Sequence, residues 1–102
     1  MSEFMGLISG SYEAKEQGFG PGGATLHSMM TPHGPDIQCF KQATEAVLRP
    51  IRVADHSMAF MFESSFSMGL THWAEEGCQR VDKDYYKCWQ GLPKLFNGKL
   101  NI

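Results

Sequence analysis

This 102-residue chain has no CxxC pair, no surplus of basic charge, no apolar run long enough to cross a bilayer and no internal repeat. Each absence removes a class of function. The cysteines Cys39, Cys78 and Cys88 are odd in number and widely set, which disfavours a cysteine metal cluster and fits reduced thiols. A formal charge of -2 and a pI near 6.0 create no positive field, so nucleic acid is not expected as a partner. A bilayer span needs roughly 18–20 consecutive apolar residues, and nothing here approaches that. The start, MSEFMGLISG, lacks the basic residues and long apolar region of a signal peptide, so a cytoplasmic protein is expected. At 11.4 kDa the chain is one domain or part of one, with material for one modest core.

Glycine and proline crowd the first half, where they punctuate short strands and turns, while the tryptophans and two of the three tyrosines gather later. Glu3 to Ser9 reads as a short buried strand, in which Gly6 either weakens the strand or lets another group approach closely. Phe19-Gly20-Pro21-Gly22-Gly23 is a loop, and Ala24 to Met29 a second strand with Thr25 and His27 on one face. Pro32 ends it. Asp36 N-caps a helix over about residues 37–46, with Phe40, Ala43 and Val47 spaced to bury one side. Leu48 to Val53 returns to extended chain. Met58 to Glu63, apolar on both faces, is the clearest strand and predicts burial on both sides. Asp82 to Phe96 reads as a second helix, broken late by Gly91 and Pro93, with Tyr85, Cys88, Trp89 and Leu92 forming a docking stripe. The sum is a β-rich chain with two helices and few strands for a closed barrel.

The chemistry concentrates in Pro21 to Asp36, where His27 and His33 sit between two rigid turns. Their spacing is not the i, i+4 pair of a helical zinc site, and alone it favours two loop histidines satisfied by backbone and water. Imidazole also binds metals and moves protons near neutral pH. Two histidines and a carboxylate are the ligand set of non-heme Fe(II) oxygenases. Glu3 is the carboxylate of interest: it opens an apolar strand, where a charge is either paired or simply exposed at the chain end.

Longer motifs go beyond spacing. MSEFMGLI, the Tyr12-Glu13-Ala14-Lys15 step, FGPGG, Leu26-His27-Ser28, TPHGPD, MAFMFESS and Tyr85-Tyr86-Lys87-Cys88-Trp89 together resemble the homogentisate 1,2-dioxygenase family over nearly the whole chain. Gly20 departs from it, and Ile37 to Val53 and Phe66 to Val81 match more loosely. The resemblance implies a cupin-like, mainly β sandwich and barrel fold, a hexamer built from two trimers, and an Fe(II) cofactor. The implied reaction opens the ring of homogentisate with O2 to give maleylacetoacetate in tyrosine and phenylalanine breakdown. Carried over by motif, Glu3 and His33 are iron ligands, with His33 also bordering the substrate. Tyr12 contacts the substrate, and His27 is the catalytic side chain of the pocket.

The family's first iron histidine, six residues before the glutamate, would precede Met1, as would its proton-accepting histidine. Residues 1–102 are therefore expected to be the C-terminal portion of such a domain, incomplete at the N-terminus and inactive alone. The alternative is a non-catalytic remnant that associates with full-length subunits. His56 and His72 sit in no matching motif. The methionines read as adaptable packing, Trp73 and Trp89 as packing or subunit contacts, and Asp82, Lys83, Asp84 and Lys87 as a solvated face.

Overall fold

The computed structural model describes residues 1–12, 14, 15, 17–52 and 55–98. Glu13 of the Tyr12–Lys15 step and Val53 at the end of the expected extended segment lie outside the described residues. The fold is mainly β. Strands β1 (Ser2–Ser9), β2 (Ala24–His27) and β3 (Met58–Ser64) form an antiparallel sheet in the order β2-β1-β3. β1 is central, paired with β2 along one edge and with β3 along the other. Met5 and Leu7 on this strand are buried, and Cys39 is the other buried hydrophobic residue among those described.

Register sets the faces. Glu3 pairs with His27 and Glu63, and Met5 with Thr25 and Met61, so these side chains share one face. Phe4, opposite Leu26 and Phe62, lies on the other, where its ring meets Phe60 at 5.7 Å. Gly6 lies on the Phe4 face opposite Phe60, where the approach is close: a Cβ there would stand 2.5 Å from the Phe60 ring. Gly6→Ala in a folded full-length protein is expected to cost about 1–3 kcal/mol by overpacking, read as a lowered midpoint in urea.

Asp36 caps α1 (Ile37–Glu45) as its sequence position indicates, with Oδ1 accepting the Cys39 N–H at 2.8 Å. The cap is buried, and the Asp36 N–H donates to the Ala14 carbonyl at 2.9 Å, which ties the helix start to the loop after β1. Other expectations need correction. The stripe Phe40, Ala43, Val47 does not bury a face: Val47 falls beyond the helix and is 84% exposed, because no element among the described residues lies over it. β3 is not buried on both sides; it is an edge strand whose sheet neighbour is β1, and Met58, Met61 and Phe62 stay exposed. The expected helix over residues 82–96 contracts to a 3₁₀ turn, Tyr85–Trp89, since Gln90 leaves helical geometry and Gly91 takes φ 88° before Pro93. A π-type turn, Trp73–Gly77, appears where neither periodicity dominates, closed by the Cys78 N–H on the Trp73 carbonyl. Leu48 to Arg52 has no regular element.

Among the described residues no disulfide joins Cys39, Cys78 or Cys88, and no helix is long and apolar enough to cross a membrane.

Candidate metal centre

Cross-strand pairing brings the first two candidates together. Glu3 and His27 are register partners and leave the sheet on the same face, placing His27 Nδ1 4.0 Å from Glu3 Oε2. His33 arrives by a reversal of the chain. Thr31 donates its N–H to the Ser28 carbonyl at 3.1 Å, and Met30 takes φ 63° inside that turn. The turn is pinned to β1 by Ser2, whose fully buried hydroxyl accepts the Met29 N–H at 3.1 Å. The result stacks the two imidazoles at 4.1 Å with an 11° interplanar angle, and sets His33 Nε2 2.6 Å from Glu3 Oε2. One donor atom from each of Glu3, His27 and His33 lies within 4.8 Å of the others.

The two histidines differ in their outer partners. His33 Nδ1 donates to the Thr31 carbonyl at 3.0 Å; this bond and the Glu3 carboxylate raise its pKa above the ordinary imidazole value. Burial, with the nearby charge of His33, lowers that of His27, partly offset by Glu3. His27 Nε2 sits 2.9 Å from the Tyr85 hydroxyl.

This arrangement tests whether a metal fits. With Nδ1–H committed to Thr31, neutral His33 presents an Nε2 lone pair to a carboxylate oxygen 2.6 Å away. Two lone pairs at that distance repel, and only a proton or a cation between them makes the contact favourable. A nitrogen and a carboxylate oxygen suit first-row divalent metals including iron, and the carbonyl behind Nδ1 is the support a ligating histidine needs. Glu3 and His33 fit.

Tyr12, the expected substrate contact, is half-buried and packs edge-on to Phe19 at 5.8 Å. It lines the same cavity as the cluster, about 170 Å³ in volume, with Met5, Met61, Tyr85 and Trp89 in the walls. Lys15 Nζ lies 5.4 Å from the Tyr85 ring centre, and Thr25 Oγ1 is buried there with no hydrogen-bond partner among the described residues. His56 and His72 are remote: His56 lies in an exposed turn, and His72 pairs with Glu76 on the surface.

Sequence reasoning missed three of these residues. Ser2 gave no signal, being an ordinary polar residue at a strand start. Tyr85 and Trp89 were read as a docking stripe, yet Trp89 Nε1 donates to the Gly34 carbonyl at 2.8 Å and Tyr85 reaches His27. Their polar tips, one helical turn apart on a single face, were the available clue.

A sequence model described as the C-terminal region of homogentisate 1,2-dioxygenase matches residues 1–96. The chain belongs to that family. It is 65% identical over 96 residues to the homogentisate 1,2-dioxygenase of Drosophila melanogaster, covering 94% of the chain and 22% of the relative. The human enzyme of that name is 56% identical over the same span, with the same coverages. The Rhizobium etli enzyme is 52% identical over 102 residues, all of this chain and 22% of its own length. The chain thus spans about a fifth of the length of these family members, and the paired strands and histidine loop described above fall within the matched region.

Proposed function

We propose that this chain supplies the Glu3–His33 part of an iron centre in a homogentisate-cleaving dioxygenase, as the C-terminal portion of a longer cupin-like domain. The observation that carries the reading is His33 Nε2 set 2.6 Å from the Glu3 carboxylate while Nδ1 turns to the Thr31 carbonyl, a contact that a shared cation or proton makes favourable. Glu3 and His33 would hold Fe(II), and a further histidine would come from sequence outside this chain. Fe(II) held there would supply a path for electron density from the electron-rich ring to O2.

The chain's own residues do the rest. Thr31 orients His33 through its carbonyl, and the buried Ser2 fixes the turn that brings His33 to Glu3. Tyr12 and the aromatic walls orient the substrate ring, His33 borders it, and the Lys15 ammonium offers a counter-charge to an aromatic acid. His27 presents a hydrogen bond to substrate or oxygen and is the catalytic side chain of this chain. The reaction converts homogentisate and O2 to maleylacetoacetate in tyrosine and phenylalanine breakdown, in a cytoplasmic hexamer.

The test is a chimera in which residues 1–96 replace the matching segment of the 65%-identical Drosophila relative. Iron-loaded and hexameric, it is expected to consume O2 when homogentisate is added; a folded, iron-loaded chimera that consumes none would contradict the reading. A second reading is favoured by the exposed apolar residues of β3: a non-catalytic chain that associates with full-length subunits. It predicts that the chain co-purifies with the intact Drosophila enzyme without adding activity.

A further inference from the structure

We propose that Tyr85 holds the proton of His27 on Nδ1, and thereby makes His27 a hydrogen-bond donor to the cavity and keeps it out of the metal's ligand set. The catalytic consequence rests on the dioxygenase reading above; the tautomer does not. Tyr85 lies 58 residues from His27 in sequence, yet its hydroxyl is 2.9 Å from Nε2. Its ring runs nearly parallel to the imidazole, 6.0 Å away at 25°.

The direction of that hydrogen bond decides what His27 can do. A neutral imidazole carries one proton, and whichever nitrogen lacks it offers a lone pair. If Nε2–H donated to Tyr85, Nδ1 would present its lone pair toward Glu3 Oε2, 4.0 Å away. It would also be free to join Glu3 and His33 around a cation. If Tyr85 donates, Nδ1 carries the proton, has no lone pair for a metal, and points a positive N–H toward a carboxylate. The Glu3 charge favours the second arrangement, and on the other side a phenol hydroxyl donates to an imidazole lone pair more readily than it accepts from an imidazole N–H. Burial pushes the Tyr85 hydroxyl up to about 12, so it keeps its proton and remains able to donate.

The support around Tyr85 is rigid. It begins the 3₁₀ turn Tyr85–Trp89, and Trp89 packs edge-on to it at 4.8 Å. Trp89 also spends its indole N–H on the Gly34 carbonyl beside His33, so it does not compete for His27. One short turn therefore braces the His33 loop through Trp89 and sets the tautomer of His27 through Tyr85. Tyr85 is a positioning residue, since it acts through His27.

The experiment uses the chimera, metal-free and with ¹⁵N-labelled histidine, in solid-state ¹⁵N spectra; His27 is assigned by the signals lost in His27→Ala. The expected result is a protonated Nδ1, with protonated Nε2 gaining population in Tyr85→Phe, a change that removes the donor to Nε2 and preserves the ring packing. Protonated Nε2 in the unsubstituted protein, or a tautomer unchanged by Tyr85→Phe, would overturn the proposal. In the iron-loaded chimera, Tyr85→Phe is expected to lower kcat roughly 10–100-fold, the scale of lost support behind a functional histidine, with KM unchanged. The same change made in the His27→Ala background should have no further effect. A loss that persists in that background would show that Tyr85 acts through something other than His27. If the unsubstituted chimera folds, binds iron and shows no turnover, the dioxygenase reading fails, while the tautomer measurement still decides the role of Tyr85.

Discussion

Expressed alone, residues 1–102 are expected to show no cooperative thermal or urea transition and to bind a hydrophobic dye strongly. The buried hydrophobic set among the described residues is Met5, Leu7 and Cys39, too little to offset the entropy of ordering a chain of this length. Met58, Met61 and Phe62 of β3 stand 58%, 46% and 64% exposed. Burying a fully exposed side chain of this kind is worth roughly 1.5–3 kcal/mol, so covering what remains exposed of these three is worth about 2.5–5 kcal/mol, a large part of the stability of many domains. The radius of gyration, 15.8 Å, exceeds the value of about 13 Å usual for a compact domain near 100 residues. Covering these faces in the chimera should restore one sharp transition. A sharp two-state transition in the isolated chain, with coincident circular dichroism and fluorescence, would show that the exposed faces need no partner.

Glu3→Gln in the chimera is expected to lower iron affinity by more than about 100-fold and to abolish homogentisate-dependent O2 uptake at sub-stoichiometric iron. Losses behind a ligand already cost roughly 10–100-fold, so removal of an anionic ligand should exceed that range. The glutamine keeps the side chain's size and its place on β1, opposite His27, which separates charge from packing. It also gives His33 Nε2 a neutral amide in place of the carboxylate now 2.6 Å away. Unaltered iron affinity in Glu3→Gln would remove Glu3 from the site and leave the Glu3–His33 contact as an ordinary ion pair.

What could be read from residue order was mostly local. The Asp36 cap, the strand pairing of Thr25 and His27 on one face, and Gly6 as a point of close approach depend on neighbours in sequence or on strand period, and the structure shows each. The identity of the site came from whole motifs; spacing alone left His27 and His33 as ambiguous loop histidines. Burial was misjudged wherever apolarity was read as contact. β3 and the Val47 end of α1 carry core-like residues, but nothing among the described residues covers them. The 82–96 segment was read by its 3.6-residue stripe, whereas Gly91 and Pro93 cut the helix to one turn. That shortened turn still places Tyr85 and Trp89 against residues more than 50 positions away, a long-range outcome that no window of local sequence contains.

His33, and not His27, is expected to share the metal with Glu3. Iron per subunit in the chimera, measured after dialysis against a weak chelator, separates the two histidines directly. His33→Ala is expected to retain almost none, while His27→Ala retains the full complement and turns over more slowly. Iron retained by His33→Ala and lost by His27→Ala would contradict this assignment.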